Sequence, residues 1–182
     1  MKNVKLGTTG IVTPKNAFGA LPVQRVEMPE AVKLLRMAYA EGFTFFDTAR
    51  AYSDSEEKIG EALADVREHV FIATKTMATT VEKFWKDLET SLANLKTDYV
   101  DIYQFHNPSF CPQSGDGTGL YEAMLEAKAK GKIKHIGITN HRVHVAREAV
   151  ESGLYETLQF PFCYLASEEC SCTVEKHKAK QG

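Results

Sequence analysis

The sequence predicts a parallel α/β fold of barrel type, incomplete, with about six β/α units. Apolar β-type runs alternate with segments of helical periodicity across short connections, the rhythm of a parallel sheet with right-handed crossovers. No G-x-G-x-x-G follows an early strand, so the marker of a doubly wound dinucleotide sheet is missing. Polar residues of catalytic type close several successive strands rather than gathering at one switch point, which favours a barrel mouth.

Each element can be justified in turn. Val4–Leu6 and Ile11–Thr13 are strand-like pieces around a turn bracketed by Gly7 and Gly10, and a short run follows at Ala17–Ala20. Pro29 to Ala40 carries Ala31, Val32, Leu34, Leu35, Met37 and Ala38 at helical spacing, entered through Pro29 and closed by Gly42. The second strand is Phe43–Asp47. The next helix starts near Asp54 or Ser55, where Glu56 and Glu57 suit the positive end of the helix dipole and Ile59 and Leu63 share a face.

Val70–Thr74 is the third strand. Thr79-Thr80-Val81-Glu82 matches a capping box ahead of an amphipathic helix through Leu95, with Phe84, Leu88, Leu92 and Leu95 recurring at three and four. Strand four, Tyr99–Phe105, leads into a Pro/Gly/Ser-rich loop, Asn107 to Gly119, long for a β/α connection and expected to wall a binding site. A helix from Leu120 to Lys130, a strand at Ile133–Thr139, a helix around His141–Glu151 and a sixth strand at Thr157–Phe160 follow. A helix-like segment runs from about Ser167 to Lys178. One domain over 1–166 with a polar tail at 167–182 is the expected division.

The 182 residues, 43% hydrophobic and 25% charged, suffice for one well-formed core. Lys plus Arg number 22 against 24 for Asp plus Glu, and this net charge of −2 points to neither nucleic acid nor an anionic membrane as partner. No run approaches the ~20 apolar residues of a membrane span, and Met1-Lys2-Asn3 lacks a secretory apolar region, so a cytoplasmic location is expected. Cys111, Cys163, Cys170 and Cys172 make no disulfide framework, and reduced thiols are the expectation. Cys170-Ser171-Cys172 with His177 offers one C-x-C and one His where zinc sites use paired elements, so no metal is expected.

Asp47, Tyr52, Lys75 and His106 sit at or just past the carboxyl ends of three successive strands. Consecutive strands of a parallel sheet bring those ends to one face, so an acid, a phenol, an amine and an imidazole can meet there. Singly, each has a plainer role. Asp47 would cap a turn, Tyr52 would be a loop aromatic, Lys75 a solvated strand end, and His106 a turn residue before Asn107-Pro108. Together, in this order, they make a site.

These residues lie in motifs that resemble the aldo-keto reductase family from about Leu6 to Ala166. The motifs are Phe45-Phe46-Asp47-Thr48-Ala49-x-x-Tyr52, Thr74-Lys75, Asp101-Ile102-Tyr103-Gln104-Phe105-His106 and Gly137-Ile138-Thr139-Asn140. The resemblance implies a (β/α)8 TIM-type barrel that reduces aldehydes or ketones, with Asp47, Tyr52, Lys75 and His106 as a catalytic tetrad. It also implies that Thr139, Asn140 and Gln159 lie against a nicotinamide carboxamide, that the cofactor is NADP(H) with NAD(H) open, and that its phosphates bind on later loops. A small-molecule carbonyl compound is the expected substrate.

Carbonyl reduction requires hydride at carbon and a proton at oxygen, and no side chain can supply hydride. A free phenol with pKa about 10 is a poor match to neutral pH, and a nearby ammonium favours its ionised form. Tyr52 is therefore expected as the general acid, Lys75 as the group that tunes it, Asp47 as the anchor of Lys75, and His106 as a hydrogen-bond partner of the carbonyl oxygen. His135, His141 and His144 receive no chemistry.

A complete barrel takes about 250 residues and eight β/α units, and its phosphate site is frequently built after strands seven and eight. The chain is therefore expected to be truncated relative to the family. A second expectation stands beside the reductase: a catalytically inactive partial barrel, acting as a binding or assembly subunit or without function. Unpaired edge strands make self-association through the unclosed barrel edge the expected escape.

Overall fold

The computed structural model describes residues 2–161. The helix expected at 167–178, the tail at 167–182 and the Cys170, Cys172 and His177 group lie outside them. A two-stranded antiparallel hairpin, β1 (Asn3–Lys5) and β2 (Val12–Pro14), precedes β3 (Phe18–Gly19) and α1 (Met28–Ala40). Then come β4 (Phe45–Asp47), α2 (Ser55–Leu63), β5 (Phe71–Thr76), α3 (Val81–Leu95) and β6 (Val100–His106). The described elements end with α4 (Leu120–Ala129), β7 (Ile133–Thr139), α5 (Val143–Ser152) and β8 (Thr157–Gln159). Strands β3 to β8 form one parallel sheet in sequence order, a curled sheet with helices that amounts to a partial (β/α)8 barrel.

Strand alternation divides the sheet into two faces. Phe46, Ile72, Tyr103, Phe105, Ile136 and Ile138 are buried in one core with Leu35, Ile59, Leu63, Phe84, Leu88 and Met124 of the helices. Each such large apolar side chain contributes about 1.5–3 kcal/mol on burial, and this layer holds the helices to the sheet. Helices α2 and α3 approach at Gly60, where a Cβ would lie 2.1 Å from the Asn94 carbonyl oxygen. On the other face Ala73 and Ile102 pack with Ile11 of the hairpin turn, flanked by Leu6, Phe45 and Phe71. The hairpin thus closes the amino-terminal end of the barrel interior.

Three local expectations are corrected. Strand β5 runs to Thr76 rather than ending at Thr74, because its polar residues are buried with partners: Thr74 on Glu56, Lys75 on Asp47 and Thr76 on Asp87. The cap of α3 is Thr80, whose hydroxyl accepts from the Lys83 N–H at 3.2 Å, so the Thr79–Glu82 box is out of register by one. Helix α5 starts at Val143 because Asn107 Oδ1 and Asn140 Oδ1 accept from the backbone N–H groups of His141 and Arg142, holding that segment as a connection. Two 3-10 helices, Leu21–Arg25 and Ala64–His69, have no counterpart in the periodicity reading.

Candidate active site

Register brings the expected residues to one mouth. Asp47, His106, Thr139 and Gln159 are the last residues of β4, β6, β7 and β8, and Lys75 is one short of the end of β5. His106 pairs with Thr139 and Thr139 with Gln159, while one row below Lys75 pairs with Gln104, Gln104 with Gly137, and Gly137 with Thr157. Gly137 makes room in that row, since a Cβ there would meet Thr157 Oγ1 at 2.3 Å and Gln104 Cγ at 2.9 Å.

Lys75 is buried, and its ammonium donates to Asp47 Oδ2 at 2.7 Å and to the Thr48 carbonyl at 2.6 Å. It also lies 5.2 Å from the Tyr52 ring centroid. Tyr52 comes from the loop after β4 and meets His106 edge to face, with ring centroids 5.6 Å apart and planes at 83°. The four candidate catalytic residues therefore form one run of neighbours, Asp47 to Lys75 to Tyr52 to His106.

Their electrostatics differ from a simple lysine-tuned phenol. Burial raises the Tyr52 phenol above its ordinary value, and the Asp47 carboxylate adds to the rise. The Lys75 cation is paired with Asp47, the anchor expected for it. Burial lowers the Lys75 ammonium, against the opposing pull of Asp47 and Glu56. Burial also lowers the His106 imidazole, to about 4, with Lys75 adding to the fall and Asp47 opposing it. At neutral pH the site therefore holds a protonated phenol and a neutral imidazole. Nδ1 of His106 is buried with no hydrogen-bond partner among the described residues.

Thr139 and Asn140 are buried and Gln159 is exposed at the mouth. The Asn140 amide donates to the Pro108 carbonyl at 2.7 Å and its oxygen accepts from Arg142 N, so it ties two loops together and keeps one N–H in reserve. The Gln159 amide oxygen has only a long contact, 3.5 Å, with Gln104 Nε2. Beside His106 a cavity of about 180 Å³ is lined by Met77, Ala78, Phe105, Pro108, Phe110 and Leu120 among others, so the long loop after β6 does form a wall. A second space, about 220 Å³, opens into the barrel interior between Asp47, Gln104, Thr157 and Gln159.

Periodicity does not reveal the groups behind the site. Glu56 is fully buried on the outer side of β5, accepting from Thr74 Oγ1 at 2.6 Å and pairing with Arg50. Its signal in the sequence is the Arg50–Glu56 charge pair flanking Tyr52. Asp101 anchors the strand's other end, accepting from Arg67 Nη2 at 2.8 Å and from Ile72 N at 2.9 Å. Cys111 is a buried free thiol raised by burial, unsuited to nucleophilic work.

Comparison with known proteins gives one consistent result. The model of the aldo/keto reductase family matches residues 6–176. The chain is 31% identical over 145 residues to methylglyoxal reductase DkgA of Escherichia coli, an alignment covering 78% of this chain and 50% of that protein. The holo form of an aldo-keto reductase from Bacillus halodurans superposes with a TM-score of 0.81 at 24% identity, covering 97% of this chain and 63% of that one. The Bombyx mori aldo-keto reductase in complex with NADP gives 0.71 at 22% identity, covering 88% and 58%. The chain thus spans about half to two-thirds of the length of these relatives.

Proposed function

Since the chain belongs to the aldo/keto reductase family, we propose that it is an NAD(P)H-dependent oxidoreductase that reduces an aldehyde or ketone to an alcohol, with Tyr52 as general acid. The carrying observation is the geometry at the strand ends: the Lys75 ammonium, 2.7 Å from Asp47, lies 5.2 Å from the Tyr52 ring centroid, and that ring meets the His106 imidazole edge to face at 5.6 Å, with burial holding the imidazole neutral at about 4. A neutral imidazole cannot act as the proton source at pH 7, so that role falls to Tyr52. His106 hydrogen-bonds the carbonyl oxygen and fixes its orientation. As negative charge moves onto the Tyr52 oxygen, the Lys75 cation near its ring stabilises it, and Asp47 keeps that cation in place.

The cofactor is a nicotinamide dinucleotide, NADP(H) by the bound relative and NAD(H) as the variant form, and when bound it supplies hydride to the carbonyl carbon. The residues at the mouth suit its carboxamide. Gln159 offers an exposed amide whose only contact is long, Thr139 a hydroxyl in the same row as His106, and Asn140 one remaining N–H. The non-reacting part of a small carbonyl substrate occupies the cavity between Met77 and Phe110.

Titration of the folded chain with NADPH and NADH, read by quenching of Trp85 fluorescence, tests the cofactor. Saturable binding followed by carbonyl-dependent oxidation of the reduced nicotinamide supports the reading. Tyr52→Phe then lowers kcat by about 10²–10⁴-fold with cofactor affinity unchanged. A folded chain with no saturable binding instead favours a partial barrel that acts as a binding or assembly subunit.

A further inference from the structure

Tyr52 sits on a turn whose conformation is not that of relaxed backbone. Ser53, the next residue, has φ of +39°, a value that side-chain-bearing residues rarely adopt without support. The segment is held at both ends by the backbone, since Arg50 N donates to the Lys75 carbonyl at 3.0 Å and Ser55 N to the Tyr52 carbonyl at 2.9 Å. Between them a side chain takes over: Arg50 Nη2 donates to the Ser53 carbonyl at 3.2 Å. The other arm of the same guanidinium pairs with Glu56.

Glu56 has no route to water, being fully buried on α2, and each of its oxygens is used. Oε1 accepts from Thr74 Oγ1 at 2.6 Å, and Oε2 meets Arg50 and, at 3.5 Å, Asn94 Nδ2. Thr74 immediately precedes Lys75 on β5, its side chain on the outer face while that of Lys75 is on the inner one. Glu56 thus joins the strand that carries the amine to the turn that carries the phenol.

We infer that Glu56, through Arg50, is a positioning residue that sets Tyr52 against Lys75 and His106 for the reduction. It touches neither substrate nor cofactor. Its carboxylate fixes the guanidinium, the guanidinium fixes the strained turn, and the turn fixes the phenol. The ion pair could be exchanged for apolar side chains if it served stability alone, but such a swap would leave the exposed Ser53 carbonyl to water and free the turn from the guanidinium that holds it. This inference rests on the reductase reading for its catalytic meaning and on geometry alone for its structural meaning.

The test separates the two. Protein labelled with ¹³C at the tyrosine ζ carbon gives a Tyr52 signal, identified by its loss in Tyr52→Phe. That signal is followed through a pH titration in the unsubstituted chain, in Glu56→Gln, and in Arg50→Lys, which keeps the charge but lacks the forked second arm. Arg67→Lys, at the buried Arg67–Asp101 pair on the opposite end of the sheet, controls for general loss of stability. The expected result is a shifted and broadened Tyr52 signal in Glu56→Gln and Arg50→Lys and an unmoved one in Arg67→Lys. An unchanged signal in Arg50→Lys, or equal movement in the control, overturns the inference. If the unsubstituted chain reduces carbonyls, Glu56→Gln also lowers kcat by about tenfold with KM within about twofold, the signature of misplaced rather than unbound reactants. Lack of any reductase activity counts against the proposed function and leaves the signal of Tyr52 to decide the positioning role.

Discussion

Lys75 and Asp47 form a buried ion pair on neighbouring strands, with Nζ 2.7 Å from Oδ2 and side-chain exposures of 2% and 16%. The pair is costly to desolvate and is repaid by close geometry and a second hydrogen bond of the ammonium, to the Thr48 carbonyl. Lys75→Met leaves the Asp47 carboxylate facing apolar surroundings with its partner gone. The expected loss is about 2–4 kcal/mol, read as a lower urea midpoint, and Asp47→Asn in the same chain recovers part of it. Equal midpoints for Lys75→Met and the unsubstituted chain would show that the pair contributes nothing to the fold.

His106 makes stability depend on pH. In the unfolded chain an imidazole takes up its proton near pH ~6.5, whereas in the folded chain burial holds it to about 4. Between these values the unfolded state binds more protons, so stability rises with pH there, is fully present above the unfolded pKa, and is lost as pH falls toward 4. His106→Gln removes the titrating group and should flatten that part of the profile. Urea midpoints at several pH values from 4 to 7.5 measure it, and parallel profiles for the two proteins would refute the depressed imidazole.

The order of strands and the inward-facing residues were legible because both depend on periodicity. Asp47, His106, Thr139 and Gln159 close their strands, and alternation alone puts them on one side of the sheet. The end of β5 was less legible, since Thr74, Lys75 and Thr76 read as a polar stop until their buried partners Glu56, Asp47 and Asp87 are known. The direction of the Tyr52 shift was illegible for a related reason. The sequence puts Lys75 near the phenol and Asp47 near Lys75, but only the packed elements show how far burial desolvates the phenol. Partners across elements decide such questions, and a single chain of letters does not pair them.

Two glycines should respond differently to the same added methyl group. In Gly60→Ala the new carbon meets a backbone carbonyl at 2.1 Å, so α2 and α3 must separate. In Gly137→Ala it meets Thr157 Oγ1 at 2.3 Å and Gln104 Cγ at 2.9 Å, both side-chain atoms that can rotate. Overpacking of this kind costs about 1–3 kcal/mol, and Gly60→Ala is expected at or above the top of that range with Gly137→Ala below it. Thermal unfolding of both variants gives the ranking, and the reverse order would mean that the helix pair yields more readily than the barrel interior.

The cavity beside His106 bears on which carbonyl compounds fit. Met77 is 58% exposed and Phe110 40%, both bordering that space, and none of the described residues lining it is Asp, Glu, Lys or Arg. Its volume of about 180 Å³ is below the ~300 Å³ at which ligand pockets ordinarily begin, so one small ring or short aliphatic chain fills it. A carboxylate placed there loses hydration and gains no cation in return. For a reductase of this geometry, kcat/KM for benzaldehyde should exceed that for para-carboxybenzaldehyde by about tenfold or more. Phe110→Arg supplies the missing cation and should narrow or invert the ratio, while Met77→Ala should lower kcat/KM for the neutral aldehyde with little effect on the charged one. Indifference of the ratio to Phe110→Arg would place the substrate's tail elsewhere, in the interior space between Asp47 and Gln159.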